Sequence, residues 1–412
     1  MQRMFRVCAG IDVHKANVWV CLLQVLPDGS IGRETRCFAT TTRALLELRD
    51  WLESVGCQSV AMESTGVYWK PVFHILESAT KVVLANAQHV RGLPGRKTDV
   101  QDCEWLGDLH LHGLVRGSFI PPEGIRDLRD LVRTRTTLIR ERAAHVNRIQ
   151  KVLEDANIKL ACVATDVLGV SGRAILEGLV SGESDPQALA ELARGRLRGK
   201  RGALAEALEG QVREHHRFLL RTHLSLIDSL DGQIAALTAR IEEQMRPFAE
   251  LRERLDGVTG IGPEVATIFI SEMGADMSPW PTFRHAASWA GLCPGHHQSA
   301  GKRKSGRTRQ GNHWLRAAFT QAGWAASRAN NTYMQAHFRR ICGRRGAKKA
   351  ALAAAHSLFV RCVELTRRGT EYRELGGTYF DQRKEQAVTN RLVRRLQSLG
   401  YAVDLKKLEP AA

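Results

Sequence analysis

The 412-residue chain is long enough for two to three domains at roughly 100–200 residues each, and its 43% hydrophobic and 25% charged residues exclude global disorder. Sixty Lys and Arg against 43 Asp and Glu give a net charge of +17 and a pI near 9.8, which disfavours an ordinary small-molecule enzyme and points to a polyanionic partner. No stretch approaches the roughly 18 consecutive apolar residues of a membrane span, Met1–Arg6 leads straight into a strand pattern rather than a signal peptide, and the nine scattered cysteines include no C-x-x-C pair. A soluble cytosolic protein without a zinc site or disulfide framework is expected.

In chain order, residues 1–122 alternate strand and helix patterns. Val7–Ile11, Val18–Leu23, Ser59–Met62 and Lys81–Leu84 are β-rich, and Ala44–Val55 places Leu45, Leu48, Leu52 and Val55 on one helical face, so this part is expected to be α/β. After Pro121-Pro122 the pattern turns helical over 123–250. Leu128, Leu131, Leu138, Val146, Ile149 and Leu153 recur at three-, four- and seven-residue intervals. Gly-rich breaks near 169–172, 195–202 and 210 separate shorter helices, and Arg217–Met245 is another long amphipathic one. These coiled-coil-like helices suit packing or dimerisation. Residues 251–363 are Gly/Pro-punctuated, then basic and mainly helical. Residues 364–412 form a charged tail, with a helix around Gln382–Leu399 and a short β-like end.

The charge is concentrated. From Met277 to Val363 there is no Asp or Glu, while the same 87 residues hold 15 Lys and Arg. A solvated helical face normally mixes both signs. Trp280, Trp289, Trp314, Trp324, Tyr333 and Phe338 interleave with these cations, so the region can fold around a core while one face meets phosphates. Nucleic acid is the expected partner.

Four carboxylates carry candidate chemistry. Asp12, in Gly10-Ile11-Asp12-Val13-His14-Lys15, ends the first strand, and Glu63, in Met62-Glu63-Ser64-Thr65-Gly66, ends a later one. Asp99 and Asp102, in Lys97-Thr98-Asp99-Val100-Gln101-Asp102, open a helix with the i,i+3 spacing that puts both on one face. Convergence at one sheet edge would make the oxygen-rich cluster that Mg²⁺, or Mn²⁺, requires.

The GIDVHK…MESTG…KTDVQD pattern resembles the DEDD-type, RuvC-like domain of transposases of the insertion-sequence one-ten family. Gly257–Ala266, Ser288–Pro294 and Gln298–Arg316 resemble that family's C-terminal transposase domain, in the same order. The resemblance covers essentially the whole chain, with no departure at the motif positions. It implies a RuvC-like, RNase H-like N-terminal domain with Asp12, Glu63, Asp99 and Asp102 as metal ligands. It further implies recombination of DNA, a structured guide RNA encoded beside the gene, and a serine nucleophile, for which Ser299 is the matching position. Ser305 and Ser171 are weaker candidates, and His296-His297 suit phosphate-facing polar roles.

Gly260-Ile261-Gly262-Pro263 reads either as a helix-hairpin-helix-like turn whose N–H groups hold a phosphate or as a tight turn without a ligand. Gly301–Thr308 nearly matches a P-loop but carries Arg307 where Lys belongs, without a preceding strand, and reads as a flexible basic loop. Phosphodiester exchange without ATP can conserve bond energy in a covalent phosphoserine, and Lys302, Arg303 and Lys304 would stabilise the added charge. Lys302, Arg303, Lys304, Arg307, Arg309, Arg316, Gly260 and Gly262 are the candidate nucleic-acid contacts. A homo-oligomer, dimer or tetramer, at the nucleoid is expected. A junction-resolvase-like metal nuclease, needing the carboxylates but not Ser299, and a non-catalytic nucleic-acid-binding protein are the alternatives.

Overall fold

The computed structural model describes residues 3–63, 66–85, 99–295, 297–308 and 310–406, and divides into two compact units, Met1–Ile120 and Pro121–Ala412. His296, Arg309, Ser64-Thr65 and Lys97-Thr98 lie outside the described residues.

The first unit contains β1 (Val7–Val13), β2 (Asn17–Val25), β3 (Ile31–Ala39), α1 (Thr42–Ser54), β4 (Ser59–Glu63), α2 (Trp69–Leu76), β5 (Lys81–Ala85) and α3 (Asp99–Leu111). The sheet order is β3-β2-β1-β4-β5, with β2 antiparallel to its neighbours and β1, β4 and β5 parallel. This is the mixed α/β architecture expected. Strand β3 escapes the sequence patterns because it is an edge strand. Its Arg33, Glu34 and Arg36 face solvent, so apolar alternation is absent, as charged edges commonly require.

The two faces of β1 separate by parity. Ala9, Ile11 and Val13 join Leu45, Leu48, Leu52, Val72 and Leu76 in the core under α1 and α2. Cys8 lies on the opposite face with Cys21, Leu23, Cys103 and Leu111, under α3. His110 of α3 is buried against this face, stacked on Phe5, with its Nε2 2.9 Å from Ser59 Oγ. Because the Ser59 hydroxyl donates to Lys81 O at 2.8 Å, the imidazole must donate through Nε2.

The second unit begins with α4 (Glu123–Asp155), followed by the short helices α5 (Leu160–Val163), α6 (Val170–Ser181), α7 (Pro186–Glu191) and α8 (Arg201–Ala207), and the long α9 (Glu214–Met245). Helices α4 and α9 run antiparallel, joined by Arg142–Asp231 near their middles and by His216 Nε2–Asp155 at 2.8 Å near one end. Ile149, Leu153, Leu220, Leu224 and Ile227 are buried between them and the short helices. The coiled-coil-like pattern is thus used within the chain.

Beyond them come α10 (Ala249–Asp256), α11 (Pro263–Met273), α12 (Phe283–Trp289), β6 (His297–Ser299), β7 (Lys302–Ser305), α13 (His313–Ala326), α14 (Tyr333–Arg345) and α15 (Ala347–Arg368). Phe269, Phe319 and Phe359 meet edge to face with centroids 5.2–6.1 Å apart and centre this core. Two expectations are corrected. The basic segment is a hairpin rather than a loop, because Ala300 and Gly301, both at positive φ, make a tight turn that pairs Ser299 with Lys302. Residues 401–406 are not β-like, because they find no strand partner among the described residues.

The tail folds back before α16 (Tyr379–Arg383) and α17 (Glu385–Ser398). Glu374 accepts hydrogen bonds from Tyr333 N, Gly376 N, Tyr372 Oη and Thr259 Oγ1, and Phe380 stacks on Tyr333 beneath the Arg340 guanidinium. These four donors hold the Glu374 carboxyl below the usual carboxylate range despite its partial burial.

Burial pushes His110 down to about 4, with the nearby Lys81 ammonium adding to it. The folded state therefore resists protonation that the unfolded chain accepts near pH 6.5. Stability of the first unit should fall by up to about 3 kcal/mol as pH drops from about 6.5 to about 4. Denaturant titrations at stepped pH should show this loss in the wild type and a flatter profile in His110→Gln.

Candidate metal centre and nucleic-acid interface

The docking of α3 on the sheet positions the carboxylates. A Cβ on Gly10 would lie 2.2 Å from Cys103 O and 2.3 Å from Gly107 N, and one on Gly107 would lie 2.9 Å from Leu23 Cδ1. Glycine at both positions lets the helix backbone touch the strand backbone. Cys103, Leu106, Gly107, His110 and Leu111 form the buried stripe of α3. Asp99 and Asp102 continue that stripe one turn towards the N-terminus, beyond the cover of the sheet, where both are exposed.

Asp12 belongs to the same face of β1 as Cys8 and Gly10, and its side chain is only 12% exposed. His14, two residues further on that face, begins the turn to β2, with its N–H donating to Asn17 O at 3.0 Å. His14 Nε2 lies 3.0 Å from Asp12 Oδ2 and 3.3 Å from Asp99 Oδ1. Ligand atoms of Asp12, His14 and Asp99 all fall within 4.8 Å of one another. Glu63 is next after Met62, the residue paired with Ile11, so it ends β4 alongside Asp12. It shares its strand face with Ala61, which packs against Leu106 of α3. The structure therefore gathers Asp12 and Asp99 directly, with Asp102 one helical turn on and Glu63 at the adjoining strand end.

Burial raises the Asp12 carboxyl above its ordinary value, the neighbouring His14 opposes this, and the Asp102 and Asp99 charges add to it. A buried acid crowded by two others is electrostatically costly without a cation. The donor set fits one. Carboxylate oxygens converge at a site open to solvent, and the buried His14 Nε2 lies within ion-pair distance of two of them. His14 was not among the sequence candidates, although its place two residues after Asp12, just past the strand end, was the available clue.

In the second unit, Ser299 ends β6 and its backbone pairs with Lys302 of β7, with Gln298 opposite Arg303 and His297 opposite Ser305. The base of the hairpin is closed by Gly295 N donating to Arg307 O at 2.8 Å and by the Pro294–Thr308 bridge. Asn312 then caps α13, accepting from Trp314 N and Leu315 N. Its amide also donates to Glu272 at 2.6 Å, a residue that sequence reasoning missed. Glu272 is 1% exposed, holds Arg133 through paired hydrogen bonds of 2.7 and 2.8 Å, and lies 3.3 Å from Arg129. One buried carboxylate thus joins α4, α11 and the start of α13.

Lys302, Arg307 and Arg316 are exposed, as is every other cation of the acid-free stretch whose side chain is described. Gly260 sits at φ +92°, and a Cβ there would meet Ala326 Cβ at 2.6 Å, so packing against α13 accounts for this glycine without a ligand. Gly262, which caps α11, faces open space. Ser171 is buried, exchanging hydrogen bonds with Arg194 N and O.

Gly10→Ala should push α3 off β1 and lower stability by about 1–3 kcal/mol. The wild type should melt higher in Mg²⁺ or Mn²⁺ if the centre holds a cation, and Gly10→Ala should lose that rise, measured by calorimetry. If the exposed cations face phosphates, log affinity for duplex DNA should fall linearly with log salt, at a slope of about −0.9 per phosphate neutralised. Alanine at Lys302, Arg303 and Lys304 together should make that slope shallower by up to about 2.7, as read from binding isotherms across a salt series.

Residues 9–158 match the DEDD transposase model of the IS110 family, and residues 252–339 match the model described as the IS116/IS110/IS902 transposase family. A protein of Pseudomonas aeruginosa described as a probable family 20 transposase is 26% identical over 319 residues, spanning 75% of this chain and 84% of that protein. The RuvC structure of Thermus thermophilus is similar over 27% of this chain and 99% of its own, at 12% identity and a TM-score of 0.22. The fold itself rests on strand order and register. With the DEDD model over the α/β unit and the whole of α4, and the second model over the basic helical region, the chain belongs to the IS110 family of insertion-sequence transposases.

Proposed function

We propose that this transposase cleaves and rejoins DNA without ATP, using a divalent cation held by Asp12, Glu63, Asp99 and Asp102 and the hydroxyl of Ser299 as nucleophile. The observation that carries this reading is the gathering of Asp12, His14 and Asp99 where α3 meets the end of β1. The basic hairpin that bears Ser299 supports it from the second unit. A bound Mg²⁺ or Mn²⁺ would supply Lewis-acid stabilisation of the charge that develops on the phosphate.

Ser299 Oγ forms a bond to phosphorus as the bond from phosphorus to one deoxyribose oxygen breaks. The serine proton is given up and the departing oxygen gains one. A hydroxyl of another DNA strand then attacks the phosphoserine, restoring a phosphodiester and the serine. One phosphoester bond replaces another at each step, so no energy input is required. Lys302, Arg303 and Lys304 meet the added phosphate charge, while Arg307, Arg309, Arg316 and the start of α11 at Gly262 hold nucleic acid, with Gly260 shaping the turn before it.

A structured RNA encoded beside the gene selects the DNA partner, and the chain acts as a dimer or tetramer in the cytoplasm at the nucleoid. Residues 1–122, 123–250, 251–363 and 364–412 serve as metal domain, helical linker, nucleophile-bearing domain and tail. RNA guidance follows family resemblance, and the acid-free cationic surface provides the charge that such a partner needs.

Reactions quenched with denaturant should contain protein joined covalently to DNA. Ser299→Ala should lose both the adduct and recombination while retaining DNA binding. Wild-type recombination by that variant would assign the attack to water or Ser305. Cleavage without an adduct would instead favour the junction-resolvase-like nuclease.

A further inference from the structure

We propose that His14 is a nitrogen ligand of the carboxylate centre and makes that centre prefer transition-metal divalent cations, of the Mn²⁺ and Co²⁺ class, over Mg²⁺. This rests on the cation centre proposed above and adds a ligand that the four-carboxylate pattern does not contain.

The hairpin at the end of β1 makes the placement. Val13 pairs with Val18 and His14 N donates to Asn17 O at 3.0 Å, so only two residues, Lys15 and Ala16, cross between the strands. A turn this short holds His14 at a defined position on the Asp12 face of the strand. Its imidazole reaches over Asp12 towards the first residue of α3, with Nε2 3.0 Å from Asp12 Oδ2 and 3.3 Å from Asp99 Oδ1.

Two structural roles could explain a histidine here, and neither accounts for the geometry. A packing role would bury the ring, yet the side chain is 44% exposed while Nε2 itself is buried. A hydrogen-bonding role would commit Nε2–H to one carboxylate, yet Nε2 sits between two, 3.0 Å from Asp12 Oδ2 and 3.3 Å from Asp99 Oδ1. What remains is a nitrogen that converges with two carboxylate oxygens, as the ligands of a shared cation would.

The chemical consequence follows from ligand preference. Mg²⁺ takes oxygen ligands and retains water, whereas transition-metal divalent cations accept imidazole readily. A set of carboxylates plus one imidazole therefore discriminates between the two classes, and His14 is the discriminating member.

The experiment uses the full-length protein with Mn²⁺ as the probe. Pulsed electron paramagnetic resonance should show nitrogen hyperfine coupling to Mn²⁺ bound by the wild type, and calorimetry should show Mn²⁺ binding at least about tenfold tighter than Mg²⁺. His14→Gln should lose the coupling and weaken Mn²⁺ at least about tenfold, with Mg²⁺ affinity changed less than about threefold. Asp12→Asn should lose binding of both ions. Mn²⁺ bound to the wild type without nitrogen coupling, or with affinity unchanged in His14→Gln, overturns the assignment of His14 alone. Unchanged Mn²⁺ binding in Asp12→Asn overturns the cation centre and this inference together. The measurement on the wild type stands whether or not the variants fold.

Discussion

The backbone contact between Gly10 on β1 and Gly107 on α3 is the constraint on which the candidate centre depends. Any larger side chain at either position would occupy space already taken by backbone or by Leu23. With both side chains reduced to hydrogen, the helix lies flat on the strand and its first turn extends past the strand ends. Asp99 reaches His14 and Asp12 for that reason. Asp99 and Asp102 stand beyond the sheet, exposed, so they need no burial of their own, whereas burial raises the Asp12 carboxyl.

A second arrangement organises the basic unit around Glu272. A carboxylate 1% exposed is tolerated because Arg133, Arg129 and Asn312 surround it with charge and donors. Breaking one partner of such a set leaves an uncompensated buried charge, typically worth about 3–5 kcal/mol. Through Asn312, the same carboxylate sets the start of α13 immediately after the basic hairpin. The basic hairpin thus stands on a base fixed from three helices, which suits a surface that must bind phosphates without collapsing onto its own acids. The Glu374 clasp, tying the tail to Tyr333 and Thr259, makes residues 370–380 part of this unit rather than an appendage.

Much of the architecture was legible because it depends on local pattern. The strands β1, β2, β4 and β5 are buried runs of β-branched and apolar residues, and the long helices α4 and α9 carry apolar stripes over more than four turns each. Strand β3 was not legible, since its exposed charged residues carry no period. The hairpin at 297–305 was not legible either, because its strands are short and polar and its turn residue Ala300 does not announce a positive φ. In α3 the acids at 99 and 102 lie in line with the buried stripe but exposed, which blurs the helix's amphipathic pattern even as it places them at the centre.

The sequence by itself determined the residue types, the strand-end positions of Asp12 and Glu63, the single face shared by Asp99 and Asp102, the concentration of cations free of acids, and the motifs that mark the family. These follow from short-range periodicity and from composition, which need no knowledge of distant contacts. Tertiary structure alone decided that α3 would dock on β1 through Gly10 and Gly107, that His14 would join the carboxylates, and that Glu272 would bind arginines about 140 positions earlier in the chain. Each of these depends on a meeting of residues far apart in sequence, at backbone separations set by the absence of a side chain or by burial of a charge, and no local pattern encodes such a meeting.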